Sequence, residues 1–92
     1  MAARGRTLTT RHEASGAVKA IPGEVIKVTV ESLGAGGGYV KLYDAAAATG
    51  TPIWQITVPD DTGWVVEFDV EGDFRTAIYA ELSNAYIVVT FY

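Results

Sequence analysis

Short runs in which apolar and polar side chains alternate are the feature that most constrains this chain. In residues 64–70, one tryptophan, one phenylalanine and two valines take every second position, and a valine and two acidic residues fill the positions between them. Because successive side chains of a β-strand point to opposite faces, such a run has one apolar face that must be buried against a partner. The run therefore predicts a strand with one face toward a core.

Runs of this kind recur along the whole chain. Six of them predict strands, at residues 25–31, 39–43, 53–58, 64–70, 74–82 and 86–92. Two shorter extended pieces precede them, at residues 7–13 and 16–21. Short strands spaced by about 10–14 residues, with turn residues between them, are typical of antiparallel all-β folds. The sequence predicts an antiparallel β-sandwich or jelly-roll-like barrel of about eight short strands.

The alternation also predicts the buried face of each strand. In residues 25–31, Ile26, Val28 and Val30 share one face and are expected in the core. The turns are predicted from glycine, proline, asparagine and aspartate, which favour the backbone conformations that turns require. They are P-G at 22–23, the glycine-rich residues 34–38, PDDTG at 59–63, EGD at 71–73 and SNA at 83–85.

The length of 92 residues fits one domain. We expect a basic, extended N-terminal arm over residues 1–15 and a single sandwich domain over residues 16–92. The chain has no cysteine, which excludes disulfides, thiolate metal sites and cysteine nucleophiles. A β-domain this small buries little surface by itself, and association with partners is a common source of additional stability.

Charge is distributed unevenly. Residues 1–19 carry a net charge of +3 and residues 20–92 carry −7, which gives −4 for the chain. A basic arm on an acidic body predicts an arm that binds an acidic surface, and a solvated tail is the alternative. The acidic body disfavours nucleic-acid binding by the sheets. No run approaches the ~20 apolar residues of a membrane helix, and the N-terminus lacks the apolar core of a signal peptide, so neither a membrane nor secretion is expected.

Acidic residues suggest a calcium site and a general acid/base pair, but an exposed strand face and a turn explain them better. The alternating carboxylates of residues 67–73 could offer oxygens to calcium, but their spacing places them along the solvent-exposed face of a strand. Asp60 and Asp61 are adjacent in a turn, where aspartate side chains bond to nearby backbone, and they lack the shared cleft of a general acid/base pair. Neither set predicts a metal site or catalysis.

The remaining motifs do not predict chemistry either. His12 is the one histidine, with no cysteine or second histidine beside it, and we expect it to be exposed in the arm. Residues 34–38, GAGGG, lack the Gly-Lys-Ser/Thr ending of a phosphate-binding loop and precede a strand instead of a helix. The sequence thus predicts no catalytic residue, no cofactor and no metal, and we expect a protein that is not an enzyme.

Three tyrosines are the side chains that best fit an interface. Tyr39, Tyr43 and Tyr79 fall on the polar faces of their predicted strands, where an aromatic ring has no core to fill. Tyrosine is enriched at protein–protein interfaces, so we predict contacts with another protein or with another copy of this chain. A sugar-stacking platform that includes Trp54 is the alternative.

The order of these motifs resembles a known group of proteins. Residues 16–58 contain a short GAVKA strand, P-G, a V-x-V-x-V-like strand, a glycine-rich turn, YVKLYDA followed by ATGTPI, and a Q-x-T-V strand. The closing strand AYIVVTFY fits the same pattern. This succession resembles small all-β virion proteins of tailed bacteriophages, which serve as head decoration (cement) proteins or minor capsid components.

The resemblance implies a structural role. Such proteins bind the outside of an expanded capsid, with the major capsid protein as partner and as homotrimers, and an extended N-terminal arm clamps neighbouring subunits. It implies a location on the virion surface after assembly in the host bacterial cytoplasm. A neck or tail component, such as a stopper or fibre-associated protein, and a carbohydrate-binding sandwich on a virion or cell surface are the alternatives. The corresponding arm residues here would be Arg4, Arg6, Thr7, Thr9 and Arg11.

Overall fold

The computed structural model describes residues 7–92, which form eight β-strands in two four-stranded antiparallel sheets. Sheet 1 has the order β1-β8-β3-β6 and sheet 2 the order β2-β7-β4-β5. The predicted all-β sandwich of about eight strands is confirmed. The strands are β1 (Leu8–His12), β2 (Gly16–Lys19), β3 (Gly23–Ser32), β4 (Gly38–Tyr43), β5 (Trp54–Val58), β6 (Val65–Phe74), β7 (Ile78–Ser83) and β8 (Ala85–Phe91).

The strands pair as a nested set. The first pairs with the last, β2 with β7, β3 with β6, and β4 with β5. A chain folded as one long hairpin and then wrapped into two sheets gives this order, which is that of a jelly roll. Residues 7–92 contain no helix that is long and apolar enough to cross a membrane.

The core lies between the two sheets and follows the predicted alternation in most strands. In β8, for example, every second residue from Ala85 to Phe91 is buried and the residues between them are half-buried. Apolar side chains from both sheets therefore meet in one layer, as expected for a sandwich. Its buried members are Val25, Val28, Val30, Val40, Leu42, Val58, Phe74, Ile78, Ala80, Ala85, Ile87, Val89 and Phe91.

The prediction that Ile26 lies in the core was wrong, because β3 contains a β-bulge at this point. Between Val25 and Lys27 the register of β3 shifts against both of its neighbours, β6 and β8. The extra residue changes which side chains point inward, so Val25 is completely buried while Ile26 is only half-buried. Val28, beyond the bulge, is buried as predicted.

The same bulge explains why the turn predicted at residues 71–73 was also wrong. β6 continues through these residues to Phe74, and Gly72 lies opposite Val25 of β3. Glu71 has a φ of 48°, the left-handed conformation that a bulge residue can adopt. The chain turns only after Phe74, where the carboxylate of Asp44 accepts a 2.7 Å hydrogen bond from the backbone N–H of Thr76.

The predicted arm is partly a strand. Leu8–His12 lies within residues 1–15, and it pairs with β8 as the end strand of sheet 1. It is held mainly by this ladder, because Leu8 is 53% exposed and the other inward positions are only half-buried. Arg4 and Arg6 lie outside the described residues.

Candidate interaction surfaces

The outer face of sheet 2 brings the three predicted tyrosines together. Tyr39 and Tyr43 stand on β4, and Tyr79 lies directly opposite Tyr43 on the neighbouring β7. Residues directly opposite each other in an antiparallel pair share a face, so the three rings belong to one surface. Tyr39 and Tyr79 are half-buried, but Tyr43 is only 6% exposed and presents little area to a partner.

Glu81 organises this face. Its two carboxylate oxygens accept hydrogen bonds from the hydroxyls of Tyr43, at 2.8 Å, and Tyr39, at 3.2 Å. The negative charge of Glu81 raises the pKa of Tyr39, and the hydrogen bond to Glu81 is the main cause of the raised pKa of Tyr43. Both phenols therefore act as donors and hold their rings in fixed positions.

Lys41 lies on the same face without a carboxylate partner. It stands opposite Glu81 in the register, yet its ammonium lies 4.6 Å from the centroid of the Tyr39 ring. Within residues 7–92, the ion pairs involve Arg11 and Lys27, so the Lys41 ammonium is held by the Tyr39 ring and not by a direct ion pair. A shallow groove lined by Tyr39, Lys41, Gln55 and Thr57 runs along β4 and β5. Its groups can hydrogen-bond a polar partner, such as a protein backbone or a sugar.

The predicted interface residues of β1 lie on the outer face of sheet 1, apart from the tyrosines. Arg11 bonds to Glu13 at 3.0 Å and approaches Glu31 at 3.5 Å, and its guanidinium lies 5.1 Å from the ring centroid of Tyr86. The hydrogen bond to Glu13 is the main cause of the raised pKa of Arg11. Thr9 is exposed, with its hydroxyl 3.3 Å from that of Thr90 on β8.

Thr7 is also exposed, and the structure places it just before β1. It lies at the end of the strand that carries Thr9 and Arg11, so these three predicted residues follow one edge of sheet 1. The tyrosine face belongs to the other sheet. The structure therefore divides the predicted interface residues between two surfaces.

A third surface, which the sequence did not predict, is the long side of the sandwich formed by β5 and β6. Trp54 and Trp64 both pack against Phe68, with ring centroids 5.6 and 6.2 Å from that of Phe68. All three rings are half-buried, whereas Ile53 and Val65 are 51% and 56% exposed. We call these five residues the aromatic side. Strand alternation predicted a core face for Trp64 and Phe68 and left Trp54 open as core or interface, because it could not tell that β5 and β6 would both be end strands.

The carboxylates of β6 point away from the core. Glu67, Asp69, Glu71 and Asp73 are all exposed and alternate with the inward side chains of the strand. Across the described part of the chain, no three acidic, histidine or cysteine side chains are grouped closely enough to hold a metal ion.

Two other candidate residues have structural partners. The carboxylate of Asp61 accepts a 2.9 Å hydrogen bond from the backbone N–H of Gly63, which confirms the predicted turn. The expectation that His12 is exposed was wrong. The ring is half-buried because β1 belongs to the sheet, and its Nε2 lies 2.7 Å from the hydroxyl oxygen of Thr10. Burial lowers the pKa of His12.

Comparison of the chain with protein-family models, with curated proteins and with solved structures gave no match. The surfaces described above, together with the resemblance carried by the strand and turn motifs, are the basis for a functional proposal.

Proposed function

We propose that this chain is a non-enzymatic structural protein of a bacteriophage virion, and that it acts as a head decoration (cement) protein. In this proposal it binds the major capsid protein on the outer surface of the expanded head, as a homotrimer, and stabilises the shell against the pressure of packaged DNA. The sequence resemblance supports the proposal. The jelly-roll topology is compatible with it, since this fold occurs in viral capsid proteins, but the fold also occurs in lectins and does not assign a function alone.

The observation that carries the proposal is the placement of exposed apolar side chains along the sides of the sandwich. Leu8, on β1, lies at one side, and Ile53 and Val65, which are next to Trp54 and Trp64 in the sequence, lie at the other. Each of these three side chains is more than half exposed. Grouped apolar surface on a small protein commonly marks a protein–protein contact. An adhesive protein needs surfaces of this kind.

The mechanism that follows from this proposal is multivalent adhesion. One copy of a small domain offers limited contact area, but joined copies that touch several capsid subunits at once bind with much greater avidity. A basic arm that becomes ordered on an acidic surface adds contacts, at an entropic cost. The sequence places Arg4 and Arg6 in that arm, and β1 begins only two residues after Arg6.

Binding to capsids tests the proposal directly. Heads of the parent phage assembled without this chain would be mixed with purified protein, before and after expansion, and analysed by co-sedimentation and cryo-electron microscopy. We expect saturable binding to expanded heads, with density on their outer surface. A variant without residues 1–6 keeps all of β1 and is expected to fold normally but to bind heads more weakly. No binding to heads, or a ring of six or twelve copies at the neck, would contradict the decoration role, and the ring would support the neck or tail alternative.

A carbohydrate-binding role is the second candidate, and the groove on sheet 2 is the observation that favours it. Tyr39, Lys41, Gln55 and Thr57 present an aromatic ring together with hydrogen-bonding groups along an uncovered sheet face. Glycan-array binding that Tyr39→Ala abolishes, with no binding to heads, would support this role over decoration.

A further inference from the structure

We propose that copies of this chain associate head to tail, with the free edge of β6 in one copy paired antiparallel with the free edge of β1 in the next. The occupant of the aromatic side is thus a second copy of the chain. This inference deepens the proposed function and rests on it for the biological role of the assembly, because it names the surfaces through which the homotrimer would form.

The topology allows this pairing without any rearrangement. Within the described residues, β1 and β6 are the two end strands of sheet 1, and each has a strand on one side only. Because the four strands alternate in direction, β1 and β6 run in opposite directions. Rotation about an axis parallel to the strands therefore brings β6 of one copy antiparallel to β1 of the next. The same rotation places β5 beside β2 in sheet 2, and such a head-to-tail contact can close into a ring.

Apolar side chains left uncovered in one copy match across this contact. Leu8 lies opposite Phe91, whose side chain is buried in the core, so Leu8 points toward the inner side of sheet 1. It is nevertheless 53% exposed, since no strand of residues 7–92 lies on the far side of β1. On β6, Phe68 also points inward and is only half-buried, with Trp54 beside it. Leu8 of the next copy would cover the rings of the aromatic side.

Charge favours β1 over β6 as the partner of β6. β6 carries four exposed carboxylates and no basic residue, whereas β1 carries Arg11 and no acidic residue. A two-fold contact between two copies of β6 would bring like charges together, which is costly at an interface. The head-to-tail contact instead brings Arg11 to the same outer face as Glu67 and Asp69.

The length of β6 gives a further reason for a partner. It spans ten residues at the end of a sheet, and the backbone groups along its outer edge have no strand beside them among residues 7–92. Free edges of this length attract other strands, and proteins usually cover or shorten them. An ordered contact with β1 satisfies these groups in a defined register.

Sedimentation equilibrium over a range of protein concentrations tests the proposal. The parent chain is expected to form a defined multimer. Leu8→Lys and Asp69→Arg alter exposed side chains on the two proposed edges, and each should raise the dissociation constant by about tenfold or more. Leu33→Lys and Asp60→Arg are the matched controls, since they place the same charges on exposed loop residues that belong to neither β1 nor β6, and they should leave the constant unchanged.

Hydrogen exchange then identifies the edge itself. Backbone amides on the free edge of β6 should be protected in the multimer and exchange faster in the Leu8→Lys variant, while the β4 amides stay unchanged. A parent chain that remains monomeric at high concentration would overturn the inference, as would a multimer that all four variants leave intact. Head binding is measured separately. A monomer that binds heads overturns this inference and the homotrimer but leaves the decoration role standing, and a multimer that does not bind heads contradicts only the decoration role.

Discussion

The hydroxyl of Ser32, at the end of β3, donates a 2.6 Å hydrogen bond to the carbonyl oxygen of Pro59, which follows β5. The same hydroxyl oxygen accepts a 3.0 Å hydrogen bond from the backbone N–H of Gly34. Ser32 is buried, and β3 and β5 belong to different sheets. One small side chain therefore joins the two sheets at the end of the sandwich where the glycine-rich loop lies.

Replacing Ser32 with alanine should lower the free energy of unfolding by about 1–3 kcal/mol, because the buried N–H of Gly34 would lose its acceptor and the carbonyl oxygen of Pro59 would keep only the N–H of Asp61. Urea unfolding followed by tryptophan fluorescence measures the change. Ser15→Ala is the control. Its hydroxyl accepts a 2.8 Å hydrogen bond from the N–H of Leu82 at an exposed position, where water can take its place. Equal losses in the two variants would show that the burial of Ser32 is unimportant.

Gly38 is expected to be intolerant of any side chain. A Cβ at this position would collide with the carbonyl oxygen of Ser83, on the backbone of the neighbouring β7, which cannot move without breaking the sheet. Gly38→Ala should therefore cost about 3 kcal/mol or more. Gly16→Ala is the matched control, since a Cβ there meets nothing within 4 Å, and it should change stability by less than about 0.5 kcal/mol. Thermal unfolding of both variants checks this, and a stable Gly38→Ala protein would refute the close approach of β4 and β7.

Glu71 offers a test of the bulge. Its φ of 48° is unfavourable for a residue with a side chain, and glycine has no such penalty. Glu71→Gly should raise the free energy of unfolding by between zero and about 1 kcal/mol. Glu71→Val should lower it, because a β-branched residue is strained in this conformation. If urea denaturation gave the reverse order, residue 71 would have ordinary extended backbone.

The tyrosine cluster predicts a loss of stability at alkaline pH. Glu81 raises the pKa of Tyr39 and Tyr43 above the ordinary value of 10.0. As pH rises above 10, the unfolded chain loses these protons before the folded one does, so the folded state binds more protons and its stability falls. Well below pH 10 the two tyrosines are protonated in both states and contribute no pH dependence.

Glu81→Gln should reduce this alkaline slope, since it removes the negative charge that raises both values. Denaturant unfolding at a series of pH values and ultraviolet titration of tyrosinate measure the effect. Glu67→Gln, on the outer face of the other sheet, is the control and should keep the parental slope. An unchanged slope in Glu81→Gln would mean that Glu81 does not control the two phenols.

The sequence predicted those parts of the fold that depend on local alternation. The buried positions of β8 and the inward side of Val66 and Phe68 follow directly from a period of two. Ile26 was misplaced because a bulge is a property of two paired strands, and pairing is not visible in either strand alone. The burial of Tyr43 depends similarly on its neighbours in sheet 2, including Tyr79.

The candidate surfaces were predictable to a lesser extent. The polar alternation placed Tyr39 and Tyr79 correctly on an outer face, because that also depends on period alone. The aromatic side was not predicted. Trp54 and Phe68 belong to β5 and β6, and only the pairing of all eight strands places these two at the ends of their sheets.

The nested pairing of the strands also determines when folding can be completed. β4 and β5 are close in sequence, whereas the outermost pair brings Leu8 against Phe91. The entropic cost of closing a loop grows with its length, so strand pairing is expected to spread outward from β4 and β5, and non-local β folds form slowly. During synthesis, β1 must wait for β8 to leave the ribosome. Until then β1 and β3 both lack the strand that lies between them, and sheet 1 cannot close.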